Sequence, residues 1–269
     1  MSGKDEISLE FVHGVVDTRG VAWVNLVRPE VRNAFNESMI DQLADCIRSL
    51  SSRAEVRLIV VASSGTAFCA GADMNWMKRA STNSFEANLE DARRFAAMMA
   101  VLHGSSKPTL ARVQGGAFGL GVGLACACDV VIASERATFG VSESRFGILP
   151  AVIGPYLLEA VGTRQAKRLA LTEVPTSAPE AKAIGLVHHV VPESELDACV
   201  ERVVRDLLGN GPVALQEIKA LFHSLTGRPI NAETSELTAE TIARVRATDE
   251  AKEGFAAFLE KRPASWTVS

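Results

Sequence analysis

Apolar and polar positions alternate over residues 7–12, and strand-forming residues return at Val21–Leu26, so the chain opens with two predicted strands. Asn36 then reads as the N-cap of a helix whose apolar positions, Ile40, Leu43, Ala44, Ile47 and Leu50, fall on one face. Residues 58–62 are continuously apolar, the pattern of a strand buried on both sides. The cycle repeats: Ser84 caps a helix with Phe85, Leu89, Ala92, Ala96 and Met99 on one face, and Thr109–Val113 reads as a strand. A glycine-rich turn leads into a short apolar helix, and residues 129–133 form the next strand. This alternation predicts an α/β fold around a largely buried parallel sheet. After Pro155 helical patterns dominate, with one strand candidate at residues 186–191. The last helix has Asp249 and Glu250 in its first turn and Lys261 and Arg262 at its end, a charge order that complements the helix dipole. No linker rich in Pro, Gly or Ser separates the two parts.

Composition narrows the class. The 269 residues are 47% hydrophobic and 22% charged, an ordinary globular balance that argues against disorder or low-complexity repeats. The net charge of −4 weakens any case for non-specific binding to nucleic acid or to an anionic membrane, but leaves room for a local basic pocket facing a phosphorylated ligand. Lys4, Asp5, Glu6 and Glu10 leave no apolar signal region near the N-terminus. The longest uncharged stretch, residues 113–128, is interrupted by five glycines and falls short of the roughly twenty apolar residues of a membrane span. A soluble, cytoplasmic protein is expected. The five cysteines suit a reducing compartment; Cys126 and Cys128 have the wrong spacing for a zinc knuckle, so no metal site is expected.

Three segments have unusual backbone requirements in apolar surroundings. Residues 68–73 (Phe-Cys-Ala-Gly-Ala-Asp) follow a buried strand, and their small side chains let a ligand approach main-chain N–H groups, with a helix starting at Asp73 or Met74. Residues 115–123 place a glycine cluster between a strand and a helix, where exposed N–H groups and the positive end of the dipole favour an anion. Two such groups facing each other would suit an oxygen that turns negative during reaction. Residues 139–144 set one carboxylate, Glu143, among small and apolar neighbours, where desolvation raises a pKa toward working pH. Each has a plainer reading, as turn, packing glycine or solvated charge, and periodicity alone does not bring the three together.

Four motifs in series do. Residues 27–36 (Val-Arg-Pro-Glu-Val-Arg-Asn-Ala-Phe-Asn) resemble the R-P-x-x-x-N-A-[LMF] segment of the crotonase (enoyl-CoA hydratase/isomerase) superfamily. Residues 70–73 resemble its A-G-A-D loop, residues 115–129 its glycine-rich helix ending in Cys-Asp, and residues 258–262 its F-x-E-K-R ending. The resemblance implies a spiral of repeated β-β-α turns over residues 1–200. It also implies a helical region over 201–269 that packs on the core and on neighbouring subunits, giving trimers or dimers of trimers. Carried over by position, the backbone N–H groups of Ala72 and Leu120 would hold the thioester oxygen of an acyl-CoA, and Glu143 would be the catalytic acid/base. Arg32, Ala34, Ala70, Asp73, Met74, Gly119 and Lys261 would line the substrate and its CoA part, with Arg32 and Lys261 facing phosphates. Coenzyme A is then part of the substrate, and no separate cofactor is implied.

Two departures stand out. Leu120 occupies a position where the family usually has Gly; its side chain would crowd the site and be strained at a positive φ. The first of the two glutamates in well-studied hydratases falls on Gly123 and is absent. Residues 142–153 are similar to the S-E-V-x-x-G-L-x-P-A-V-I run of bacterial hydratases resembling methylglutaconyl-CoA hydratase, which also tend to keep Gly there. The resemblance therefore points to hydration of a 2-enoyl-CoA, with a branched or methylglutaconyl-type acyl group in view. A 3,2-enoyl-CoA isomerase, or a CoA-thioester binder with little hydratase activity, is the alternative. Trp76, Met77 and Phe146 are candidates for the acyl pocket wall or equally for core. A dinucleotide fingerprint fails at Leu124, and a serine-hydrolase elbow fails at Ser144. His188 and His189 read as strand-end residues.

Overall fold

The computed structural model describes residues 6–267; Lys4 and Asp5, cited above against a signal peptide, lie outside them. The first strands are β1 (Glu6–Ser8), β2 (Val12–Val16) and β3 (Val21–Leu26), followed by α1 (Glu37–Ser52) and β4 (Leu58–Ser63). The alternation over residues 7–12 is thus not one strand: a turn at 9–11 splits it, and Glu6–Ser8 folds back antiparallel on β2. Next come α2 (Met74–Ala80), α3 (Phe85–His103), β5 (Thr109–Val113), β6 (Gly116–Phe118), α4 (Leu120–Ala127), β7 (Val130–Ser134) and β8 (Thr138–Gly140). The remainder is α5 (Gly154–Thr172), β9 (Thr176–Ser177), α6 (Ala178–Ala183), β10 (His189–Val191) and the helices α7 (Leu196–Leu208), α8 (Pro212–Leu225), α9 (Ala232–Arg246) and α10 (Asp249–Glu260).

Seven strands form the main sheet in the order β1-β2-β3-β4-β5-β7-β10. The first three are antiparallel, and from β3 onward every pairing is parallel. Strand β4 is central and buried at all six positions, as its unbroken apolar run requires. Alternate residues feed two cores. Ala22, Val24, Ile59, Val61 and Ala111 face the cluster under α1, α3 and α4, while Val21, Leu58, Val60, Leu110 and Ile132 face Leu196, Cys199, Val200, Val204 and Leu208 of α7. The Asn36 side chain caps α1 by accepting the Met39 N–H at 2.9 Å, and the five apolar positions read from sequence are all buried. Each such Leu or Ile contributes about 1.5–3 kcal/mol.

A second, small sheet was not legible from periodicity. It has the order β6-β8-β9, with β6 and β8 parallel, and its strands are two or three residues long. Helix α3 is capped by Ser84 as expected, but its buried side is Met98, Met99 and Leu102; Phe85 and Leu89 at the other end are exposed, because only the C-terminal half reaches the core. Helices α8–α10 lie on the outside, with Phe222 64%, Phe258 82% and Leu259 78% exposed. No helix of the described residues is long and apolar enough to cross a membrane.

Candidate active site

The motif over residues 27–36 acts as scaffolding. Asn33 is buried at φ 55°, a left-handed conformation that Asn tolerates better than most residues. Its Oδ1 accepts the Arg28 N–H at 2.9 Å, and its Nδ2 donates to the carbonyls of Ser64 at 2.8 Å and Ala67 at 3.0 Å. Main-chain bonds then stitch this segment to residues 70–73: Ala70 N–H to Arg32 O at 2.9 Å, Phe35 N–H to Gly71 O at 2.8 Å and Asp73 N–H to Phe35 O at 2.8 Å. Arg28 donates to Ala34 O at 2.8 Å and pairs with the Asp73 carboxylate at 2.8 Å, lying over the Phe11 ring. Asp73 also caps α2 by accepting from Asn75 N–H at 2.7 Å and Trp76 N–H at 3.2 Å. Burial alone would push this carboxyl up, but those N–H groups and the Arg28 guanidinium together hold it below its ordinary value.

The same loop is joined to the glycine segment. Phe68 and Cys69 N–H groups donate to Gly116 O at 3.0 and 3.1 Å, and Phe118 N–H donates to Cys69 O at 2.9 Å. Gly71 has φ 94° and approaches so closely that a Cβ there would lie 3.1 Å from Phe118 O. Strand β6 pairs in turn with β8, whose chain continues to Glu143, and Gly119 N–H donates to Gly140 O at 2.8 Å. A Cβ on Gly119 would come 3.0 Å from Glu143 Oε1, so the carboxyl rests against that glycine's Cα. The three segments singled out in the sequence therefore converge, through the small sheet rather than the large one.

Ala72 is exposed, and Leu120 opens α4, where an N–H has no acceptor within the helix. Among the described residues neither of these two N–H groups has a hydrogen-bond partner. The expectation that Leu120 crowds the site or is strained is corrected. The left-handed φ of 48° falls on Gly119, and the Leu120 side chain is 4% exposed, packed into the core.

Glu143 begins a 3-10 turn, Glu143–Phe146, rather than ending a strand. It is half-buried, and its Oε2 atom is buried without a hydrogen-bond partner. Burial raises its pKa; the N–H groups of Ser142 and Glu143 offset part of this, and the nearby Glu173 charge adds to it. At Gly123, where the missing glutamate would stand, a Cβ would meet Ile153 Cγ2 at 2.4 Å. The second carboxylate is not merely absent; its space is filled.

Of the remaining candidates, Arg32 is exposed at φ 55°, Ala34 is buried, Ala70 is half-buried and Met74 is 84% exposed at the start of α2. Trp76 is half-buried, bonds Asp91 through its indole N–H and meets Phe95 edge-on; Phe146 is exposed beside Glu143. Lys261 is not brought to this site within one chain. It ends α10 at φ 55°, and the tail after it is tied by Arg57 to Trp266 O and by the Trp266 indole to Gly209 O. Arg57 precedes β4, whereas Arg32 follows the C-terminal end of β3 and Ala72 that of β4. Nor does α10 carry a basic last turn; Arg262 pairs with Glu253 and Glu260 instead. His188 Nδ1 accepts the Val131 N–H at 2.9 Å, a structural contact. Sequence reasoning missed Arg28, Asn33, Ile153 and Glu173. Opposite charges on the first two motifs hinted at Arg28–Asp73, whereas nothing local signals the contacts of Asn33, Ile153 and Glu173.

This frame is shared with known proteins. The chain belongs to the enoyl-CoA hydratase/isomerase family, whose model matches residues 17–269. It is 33% identical to a crotonyl-CoA hydratase of Syntrophomonas wolfei over 91% of this chain and 93% of that one. It is 31% identical to the mitochondrial methylglutaconyl-CoA hydratase of Mus musculus over 97% of this chain and 83% of that one. The crystal structure of an enoyl-CoA hydratase from Shewanella pealeana superposes with a TM-score of 0.93 at 37% identity, covering 96% and 97% of the two chains.

Proposed function

We propose that this protein hydrates a 2-enoyl-CoA thioester with a single carboxylate. The observation that carries the reading is the Glu143 carboxyl lying against Gly119, one residue before a main-chain N–H that has no partner. The N–H groups of Ala72 and Leu120 would hold the thioester oxygen as charge builds on it, a stabilisation of about 3 kcal/mol per donor in comparable oxyanion holes. Ionised Glu143 would take a proton from water attacking C3 and return it to C2. A carboxyl whose pKa is raised by burial is suited to both steps, since it gains and loses a proton nearer neutral pH. Arg32, Ala34, Ala70, Asp73, Met74 and Gly119 border the same loops, with Arg32 as the exposed cation for CoA phosphate and Asp73 acting by fixing α2. The methylglutaconyl-CoA relative supports a branched or carboxylated acyl group as the first substrate to test. The exposed apolar side chains of α8–α10 support association into trimers or dimers of trimers.

The test is the loss of enoyl-thioester ultraviolet absorbance on a panel of short, branched and carboxylated 2-enoyl-CoAs. Glu143→Gln should retain thioester binding within a few-fold while turnover falls by roughly 10². An unchanged rate would remove Glu143 from the chemistry. One observation favours a second reading: with Ile153 filling the place of another carboxylate, a lone acid/base also suits moving a proton between C2 and C4. Appearance of the conjugated absorbance from a 3-enoyl-CoA, faster than hydration, would select that isomerase.

A further inference from the structure

The turn that carries Glu143 is held to the body of the protein in an unusual way. Its own main-chain bonds are local: Arg145 N–H to Ser142 O at 3.2 Å, Gly147 N–H to Ser144 O at 3.0 Å and Ile148 N–H to Glu143 O at 3.3 Å. Its link to α5 runs through side chains. Ser144 Oγ donates to Glu173 Oε1 at 2.6 Å, with Ala170 O a second, longer acceptor for the same proton at 3.1 Å, and Arg145 Nε donates to Glu173 Oε2 at 2.8 Å. One carboxylate thus grips the two residues that immediately follow Glu143. Glu173 itself sits just past the end of α5 at φ 53°, ψ 15°, the left-handed cap position that glycine occupies without strain. A β-carbon there is unfavourable unless the side chain does something that glycine could not. Its side chain is 14% exposed, against 70% for Arg145, so the less exposed member of the pair is the acid.

We propose that Glu173 is a positioning residue for Glu143: it clamps Ser144 and Arg145 so that the Glu143 carboxyl stays against Gly119. This rests on the reading that Glu143 is the acid/base. The electrostatics follow from the same geometry. Burial is the main cause of the raised Glu143 pKa and the Glu173 charge adds to it, while Arg145 pairs with Glu173 at 2.8 Å. Glu173 is held in its ionised form by the Ser144 hydroxyl and Arg145, whose cation offsets part of its charge. That charge disfavours ionisation of Glu143, in the same direction as burial.

The experiment compares Glu173→Gln and Glu173→Gly with wild type and Glu143→Gln on one 2-enoyl-CoA. Glu173→Gln keeps an acceptor for Ser144 but loses the charge. The expected result is a several-fold lower kcat, a KM within twofold of wild type, and an acid limb of kcat/KM displaced to lower pH. Glu173→Gly removes the clamp and relieves the left-handed strain. Its melting temperature should match or exceed that of wild type while kcat drops at least tenfold, and its crystal structure should show residues 143–146 moved off Gly119. A merely structural role would lower stability and leave the pH limb in place. Wild-type kcat and pH profile in both Glu173 variants, beside a crippled Glu143→Gln, would overturn the positioning role and leave Glu143 as the acid/base. Full activity of Glu143→Gln would overturn the acid/base reading, and the positioning role with it.

Discussion

The two halves of the candidate site are built to different standards. Residues 70–73 are knitted into their surroundings by main-chain hydrogen bonds on both sides, to Arg32 and Phe35 and, through Cys69, to Phe118 and Gly116. Behind them Asn33 and the Arg28–Asp73 pair satisfy buried polar groups. The turn bearing Glu143 has no comparable backing; side chains tie it to one helix end, and Phe146, Ile148 and Leu149 around it are exposed. The contrast fits what each half has to do. Donors to a developing negative charge act by being fixed in advance. A carboxylate that accepts and returns a proton works beside a substrate that must enter and leave, and a segment with few buried contacts opens at low cost.

Breaking the better-built half should have the largest effect on the fold. Arg28→Met leaves the Asp73 carboxylate, 7% exposed, without its cation. Removing one member of a buried ion pair costs about 3–5 kcal/mol, and the lower end is expected because Asp73 keeps its bonds to Asn75 and Trp76. Denaturant unfolding should show that loss, with turnover falling as the loop around Ala72 loosens. A change under 1 kcal/mol would mean that the main-chain bonds alone hold the loop.

How far the sequence revealed this depends on the range of the contacts. The cap at Asn36, the apolar face of α1 and the buried run of β4 are local patterns, and they appear where the residues place them. The three site segments were visible as glycines and a lone acid because their chemistry is local too. What brings them together is a sheet of two- and three-residue strands, too short for period-two alternation to register. The exposed end of α3, with Phe85 and Leu89, shows the converse: an apolar face is legible, but whether this chain covers it is not. Leu120 was misjudged for a similar reason, since the positive φ falls one residue earlier, on Gly119, which adopts it without strain.

The missing second carboxylate gives a smaller effect, and sharpens the comparison by asking whether single-acid chemistry is a matter of residue identity or of packing. Gly123→Ala would place its methyl 2.4 Å from Ile153 Cγ2 and 2.9 Å from Ile153 Cβ. Overpacking of this kind costs roughly 1–3 kcal/mol, which outweighs the helix-propensity gain of about 1 kcal/mol for replacing Gly. Adding Ile153→Ala should recover part of the loss in a double-mutant cycle. Gly123→Glu alone should therefore destabilise the protein without raising hydratase turnover. A stable and faster Gly123→Glu enzyme would show that Ile153 yields easily and that the packing does not enforce one carboxylate.

The smallest effect concerns Glu143 and reverses the usual cost of a mutation. Its folded pKa lies above its ordinary value of 4.5, chiefly because burial disfavours the charge. The native state then binds the proton more tightly than the unfolded chain does. As pH rises through 4.5 the unfolded chain ionises first, so the wild-type protein loses stability until the folded pKa is passed, and the deficit stays constant above it. Glu143→Gln carries no such charge. Its stability relative to wild type should therefore grow across that window, level off at neutral pH and shrink on acidification, as read from urea midpoints at several pH values. A pH-independent difference would mean that the carboxylate is as well solvated in the fold as outside it, and that the open flank of the turn, rather than the apolar contact with Gly119, sets its environment.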